Sequence, residues 1–485
     1  MPLVFGGSSA VAEPYLIANS VRYNPDDSPS LALTFGAPTD NLKWTFSAWV
    51  KKCWTSDGSA FVLADVYGTG LGGGPWIAAQ DFYSYRNYES SSYDGELITT
   101  QKLRDASAWY HIVQVWDSAN GTPGDRMKLY INGTEVTSFS LDNNPDEDQA
   151  TAFNKDGEGH QIGSYRGIAS YWDGYIAEVV FIDGQALAPT SFGEFNSDSP
   201  TIWQPIDPTD LTFGNNGYWL DFADSADLGN DVSGNGNDWT PANLTAADQA
   251  TDSPTNNFCI LNNVATTNGL GVNITFTEGN CFMANTAGGL WEPAIGTLAA
   301  KGGKWYGEVK CVALGAGNNI GIMSPAQYND NMSLDNPATA TLAYGMNYST
   351  GAATNGPGNW TTSWGEAYTS GDIISVAMDL DNMKLYFAKN GVWVASGDPT
   401  SGATGTGTQT WFGGSGDTTN AAGVDYYTFF AAFHNSSTTA TNFGGSSGFA
   451  ITSANQDANG YGNFEYAVPT GYYALCTKNL AEFGG

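Results

Sequence analysis

An all-β chain is what this sequence predicts: two antiparallel β-sandwiches joined by a Pro/Asn/Gly-rich linker. Three observations carry that expectation. Aromatic residues (25 Tyr, 24 Phe, 16 Trp) and 60 Gly dominate the 485 residues, a profile of strands and tight turns. Asn-Gly pairs punctuate apolar runs of strand length, as in MKLYI-NG-TEV and KLYFAK-NG-VWV, where both turn residues must take positive φ. No segment carries the 3.6-residue periodicity of a helix of three turns. Against 49 Asp+Glu there are only 17 Lys+Arg, a formal charge of −32, yet 14% of residues are charged. A nucleic-acid partner is excluded by that balance, since so few cations cannot displace phosphate counterions.

The first 18 residues form a small-residue leader, read as a docking arm, with no basic region and apolar core of a secretory signal. No apolar run reaches the roughly 20 residues of a membrane span. Strands are expected over 19–196. In WTFSAWV, Trp44, Phe46, Ala48 and Val50 share one face, and Thr45, Ser47 and Trp49 the other. WYHIVQVW (Trp109 to Trp116) and YIAEVVFIDG (Tyr175 to Gly184) are apolar on both faces, as in strands covered on both sides. Met127, Leu129 and Ile131 point inward from the hairpin that turns at Asn132-Gly133.

Residues 197–255 change character. Pro200, Pro205 and Pro208 fix φ and remove ladder donors, which predicts an extended linker followed by an acidic, Asn/Gly-rich junction. Strand patterns return over 256–485: KWYGEVKCVAL, NNIGIM, then DIISVAMDLDNMKLYFAKNGVWV with turns at Asp379 to Asn382 and at Asn390-Gly391, and YYTFFAAFHN. Two inserts, 347–370 and 396–424, exceed ordinary hairpin loops and are expected to be functional or mobile.

Particular strings resemble known families. Asn19 to Tyr23, WTFSAWVKK, WYHIVQVWD, MKLYINGTEV and YWDGYIAEVVFIDG resemble, in order and spacing, the laminin-G/concanavalin-like lectin sandwich. KWYGEVK, GDIISVAMDLDNMKLYFAKNGV and TNFG resemble the SPRY domain, apart from Ser375 where that family has Gly. The whole chain resembles bacteriophage proteins in which a laminin-G-like domain, a D-x-S-G-N-x-N-D-W junction (here Asp231 to Trp239, then Asp252 to Phe258) and a SPRY domain follow one another. That resemblance implies a virion-surface component: a tail fibre or receptor-binding fibre, by analogy a homotrimer, attached to other virion proteins and contacting host polysaccharide. A capsid decoration protein and a polysaccharide depolymerase are the alternatives.

Residues that could carry chemistry are few. Three histidines (His111, His160, His434) lie in separate segments, which leaves metal triads and Ser-His-Asp catalysis little to build on. Retaining glycosidases place two carboxylates about 5–5.5 Å apart; the E-x-D-x-x-E strand of the concanavalin-like glycosidases is absent, and Asp379 and Asp381 sit at a turn that favours Asp for its own geometry. A non-enzymatic role and no cofactor are therefore expected. Asp231, Asn235, Asn237 and Asp238 could offer oxygens to a weak Ca²⁺ site, or simply form an Asx-rich turn. Five scattered cysteines without a CxxC pair predict buried thiols. The candidate ligand-binding residues are aromatic: Tyr83, Tyr85 and Tyr88 among Ser, Asn and Asp, and Trp360, Trp364 and Trp411 in the two inserts. Flat rings beside short polar groups suit the C–H faces and hydroxyls of a sugar; some of them are equally expected to cap sandwich edges.

Overall fold

Strand Lys43–Lys52 shows how the first sandwich is built. Trp44, Phe46, Ala48 and Val50 enter the main core, whereas Trp49 faces away into a second cluster with Trp109, Tyr175 and Trp203. In the computed structural model this strand is central to a sheet ordered Thr134–Glu135, Met127–Ile131, Tyr110–Asp117, Lys43–Lys52, Gly174–Asp183, Ser20–Tyr23 and Gln249–Ala250. A second sheet lies against it, ordered Phe139–Asn143, Ser92–Lys102, Phe82–Glu89, Leu71–Ile77, Ala64–Gly68, Gly159–Ile162, Ser30–Thr34 and Thr240–Ala242. The structure describes residues 14–54, 61–78, 80–89, 92–264, 274–285, 291–315, 317–325, 343–349, 351–355, 360–363, 366–407, 426–434 and 436–484. Trp44, Trp116 and Tyr85, drawn from both sheets, meet in the core with Phe153 from a connecting turn. Asn132 and Gly133 turn the hairpin with φ of 49° and 74°, the left-handed values that this pair tolerates.

The second half repeats the architecture. One sheet runs Ile274–Thr277, Phe282–Asn285, Thr438–Asn442, Lys304–Ala313, Ile373–Asp379, Lys384–Lys389, Val392–Trp393; the other runs Trp291–Ile295, Thr428–His434, Gly317–Met323, Ala343–Asn347, Ala352–Asn355, Trp360–Ser363. Their inner faces share a core that includes Trp305, Val376, Phe387 and Phe429. Parts of the 347–370 insert thus extend a sheet. Thr477–Phe483 is a two-turn helix; among the described residues no helix is long and apolar enough to cross a membrane.

The stretch expected to be a linker does more than connect. Trp203–Pro205 pairs with Gly193–Phe195, Tyr218–Leu220 joins Gly174–Asp183, Thr240–Ala242 pairs with Ser30–Thr34, and Gln249–Ala250 with Ser20–Tyr23. Buried Tyr218 and Trp239 anchor these pieces in the first core. Strands of two or three residues carry no readable period, and Pro241 stands on an edge strand, where a missing donor costs nothing.

A polar knot locks the two sandwiches together. Lys51 Nζ, on the first, donates to Asp252 Oδ2 and Asn257 Oδ1 at 2.7 Å each. Arg22 pairs with Asp248 and Glu278 and donates to the Ser447 carbonyl, and Tyr175 Oη donates to the Gly279 carbonyl. Ile17, from the end of the expected docking arm, is buried in the same junction, and Tyr15 Oη donates to Glu178.

Candidate functional site

A run of glycines opens the outer face of the second sheet. In strand Leu71–Ile77, Gly73 and Gly74 take φ of 120° and 151°, and a Cβ on either would collide with a backbone carbonyl, that of Arg86 or of Ala64. Only glycine allows this approach. The stripe without side chains leaves a cavity of about 330 Å³ lined by Asp65, Trp76, Arg86, Tyr88, Tyr93, Tyr165 and Arg166, among others.

Each wall has a local cause. On strand Phe82–Glu89, Arg86 and Tyr88 alternate outward, and a bulge between them sets Tyr88 opposite Tyr93, with ring centroids 5.0 Å apart. The Arg86 guanidinium carbon lies 4.9 Å from the Trp76 ring centroid and 5.6 Å from that of Tyr93, and its Nε pairs with Glu96 at 2.9 Å. The tight turn Tyr165–Ala169, with Arg166 and Gly167 at φ of 55° and 68°, presents Tyr165 and Arg166 from the other side, 4.9 Å apart. Asp65 forms the floor at 3% exposure. Its Oδ1 accepts from Gly73 N at 3.3 Å, while Oδ2 accepts from no described residue. Burial, opposed by the Gly73 backbone donor and by Arg166, pushes the carboxyl up to about 7. Chemically, the cavity offers ring faces for apolar C–H surface, guanidinium donors and one vacant acceptor.

The aromatic expectation is corrected here. Tyr83 and Tyr85 point inward: Tyr83 donates to Gln114 Oε1 at 3.1 Å, and Tyr85 packs on Trp44 and Trp116. In a strand of period two they share the face opposite Tyr88, so of the three only Tyr88 lines the cavity. Trp360 lies in strand Trp360–Ser363; Trp364 and Trp411 fall outside the described residues. Asp65, Trp76, Arg86, Tyr165 and Arg166 escaped sequence reasoning. The signal that could have found them was Gly72-Gly73-Gly74 inside a strand pattern.

Of the oxygens considered for Ca²⁺, both of Asp231 and the Oδ1 of Asp238 accept from the chain itself. Asp231 Oδ1 accepts from Trp219 N and Ser233 N, and Oδ2 from Ser233 Oγ and Asn237 N, all at 2.9 Å. Asp238 accepts from Asp231 N, while Asn235 and Asn237 donate to the Gly217 carbonyl. This is the Asx-rich turn. Among the described residues no three His, Cys, Asp or Glu side chains converge as a metal site.

His111 touches Ser47 Oγ through Nε2 at 2.8 Å, but Trp203 Nε1 donates to its Nδ1 at 2.9 Å. The proton therefore sits on Nε2 and is donated to Ser47, and burial holds the imidazole down to about 3. Such a dyad cannot accept the hydroxyl proton. Asp379 accepts from Asn382 and Lys304, and Asp381 from Gly303 N, the work of a turn.

The fold defines a chain of two antiparallel β-sandwiches, the first of which carries the cavity. The family described as the concanavalin A-like lectin/glucanases superfamily matches residues 26–190, which include every cavity residue named above. No curated protein matches the chain. Among solved structures, similarity extends to the SPRY domain of human HERC1 (14% identity, TM-score 0.25, 33% of this chain and 86% of that one). It extends also to a SAP-like pentraxin from Limulus polyphemus (15%, 0.27, 36% and 80%). A protein from Bacteroides ovatus proposed to bind carbohydrate is similar too (14%, 0.31, 47% and 59%).

Proposed function

We propose that this chain is a non-enzymatic carbohydrate-binding protein whose sugar site is the Gly72–Gly74 cavity, and that it serves on a bacteriophage particle as a fibre contacting host surface glycans. One observation carries the first part: the vacant Asp65 Oδ2 at the floor of a cavity walled by Trp76, Tyr88, Tyr93 and Tyr165. A buried acceptor without a donor is costly, and a sugar hydroxyl seated among ring faces supplies one. The concanavalin-like match over the same residues supports this reading. The virion role rests on the resemblance of the Asp231–Trp239 junction and of the domain order to phage proteins.

Isothermal titration of the purified chain against a broad panel of bacterial surface oligosaccharides tests the proposal. Binding is expected to weaken about tenfold in Trp76→Ala, the loss of one stacked ring. Absence of binding across the panel, or undiminished binding by Trp76→Ala, overturns the site. Release of reducing ends from a bound polysaccharide overturns the non-enzymatic part, and a lattice-wide copy number on an imaged capsid overturns the fibre.

A further inference from the structure

Resting on the carbohydrate reading of the cavity, we infer that its ligand is a sugar bearing a carboxylate, a uronic-acid-type residue, held by the guanidinium groups of Arg86 and Arg166. The argument begins with scarcity. The chain contains five arginines, at 22, 86, 104, 126 and 166, in a molecule of formal charge −32. Arg22 and Arg126 are buried structural groups, the first between Asp248 and Glu278, the second on Glu147 and the Pro145 carbonyl. Arg104 is largely exposed beside Asp81. The remaining two, separated by six strands along the chain, are brought to one cavity from a strand and from a strained turn.

Their partners leave donors to spare. Arg86 is ion-paired with Glu96 through Nε, with no aligned hydrogen bond there, and its guanidinium carbon lies over the Trp76 and Tyr93 rings. Arg166 reaches the Leu71 carbonyl through Nη2 at 3.4 Å, while its buried Nε meets no described acceptor. Spare donors on two guanidinium forks call for an oxyanion, and the carboxylate is the anion whose two oxygens one fork takes bidentately without the larger bulk of a sulfate ester. Rings beneath the guanidiniums hold them in place and take the apolar face of the same sugar. Asp65 is held up to about 7 by burial: below that pH its Oδ2 is mostly protonated and donates to the ligand carboxylate, whereas above it the ionised Oδ2 is an acceptor for a hydroxyl and opposes the anion. The charged groups around it are Arg166 on the turn and Arg86, with Glu96 behind Arg86.

The test uses oligosaccharides of galacturonate, glucuronate and mannuronate, each beside its carboxyl-reduced neutral counterpart, and a sulfated oligosaccharide of equal length. Affinities are measured by titration calorimetry at low salt, at pH 6 and pH 8. At least one uronate is expected to bind about 10- to 100-fold tighter than its reduced form, and more tightly at pH 6 than at pH 8. Arg166→Gln is expected to erase that preference while retaining weak binding of the neutral sugar; Arg86→Gln serves as the second variant if the first melts early. Equal affinity for uronate and reduced sugar, or preference for sulfate, overturns the inference and leaves the carbohydrate site standing. Failure of every charged and neutral sugar to bind overturns both.

Discussion

Replacing Lys51 with Met isolates the lock between the two sandwiches. The ammonium is fully buried, as is its partner Asp252. It donates to Asp252 Oδ2, Asn257 Oδ1 and, at 3.4 Å, the Phe258 carbonyl. The other carboxylate oxygen accepts from Trp109 Nε1 at 3.1 Å and Phe258 N at 3.3 Å. Met keeps the stem and removes the charge, so a buried carboxylate remains with two neutral donors, at a cost of about 3–5 kcal/mol. Unfolding entropy of about 2.1 cal/mol/K per residue converts this to a fall in Tm of about 3–5 °C if the whole chain melts together, and about twice that if half of it melts first. Differential scanning calorimetry reads both the shift and the number of transitions. Adding Asp252→Asn removes the orphaned charge, keeps an acceptor for Trp109, and is expected to recover at least half of the loss. The reasoning is refuted if Lys51→Met melts within about 1 °C of the parent, or if the double variant is no more stable than the single one.

Acidity supplies a further test. Burial raises Glu178 to about 8 and Asp65 and Glu308 to about 7, so the native state holds protons that the unfolded chain releases. Stability is therefore expected to fall as pH rises from about 4.5, where the unfolded carboxyls ionise, to about 7 for Asp65 and Glu308 and about 8 for Glu178, by up to about 1.4 kcal/mol per pH unit for each group, and to level off above that; Glu178→Gln should flatten the upper part of a plot of Tm against pH. His111 and His160, lowered to about 3 and 4 by burial, act oppositely only below neutrality, where the unfolded chain takes up their protons. Tyr88→Ala is expected to weaken glycan binding and leave Tm almost unchanged, whereas Tyr85→Ala should cost about 3–5 kcal/mol; similar stability losses from the two in urea titrations would contradict their opposite facing. Gly73→Ala forces a Cβ against the Arg86 carbonyl at positive φ and is expected to lower stability by about 1–3 kcal/mol and abolish glycan binding. Chelator should leave Tm unchanged, because Asp231 is already engaged by four donors of the chain; a rise in Tm with added Ca²⁺ would identify the turn as a cation site after all.

Much of the fold was readable because its signals are local. Alternation in Lys43–Lys52 placed Trp44 and Phe46 inward and Trp49 outward, and Asn-Gly fixed two hairpins through positive φ. The same alternation, applied to Phe82–Glu89, separates Tyr88 from Tyr83 and Tyr85; pooling all three as one aromatic cluster overlooked it. Less local features escaped. Tyr218–Leu220 and Thr240–Ala242 are too short to show a period, and the prolines around them looked like those of a connector, while Tyr218 and Trp239 of the same segment are anchored in the first core, on strands from about 40 to about 200 residues away in sequence.

By itself, the sequence determined the β architecture, the inward and outward faces of its long strands and the positions of its tight reversals. Tertiary structure alone decided the site. Asp65, Trp76, Arg86 and Arg166 come from separate strands and a turn, and no spacing along the chain encodes their meeting. The physical reason lies in range: strand faces and turns obey forces acting over a few residues, whereas a cavity exists only where three glycines open a sheet and distant side chains, packed from both sides, have no other place to go.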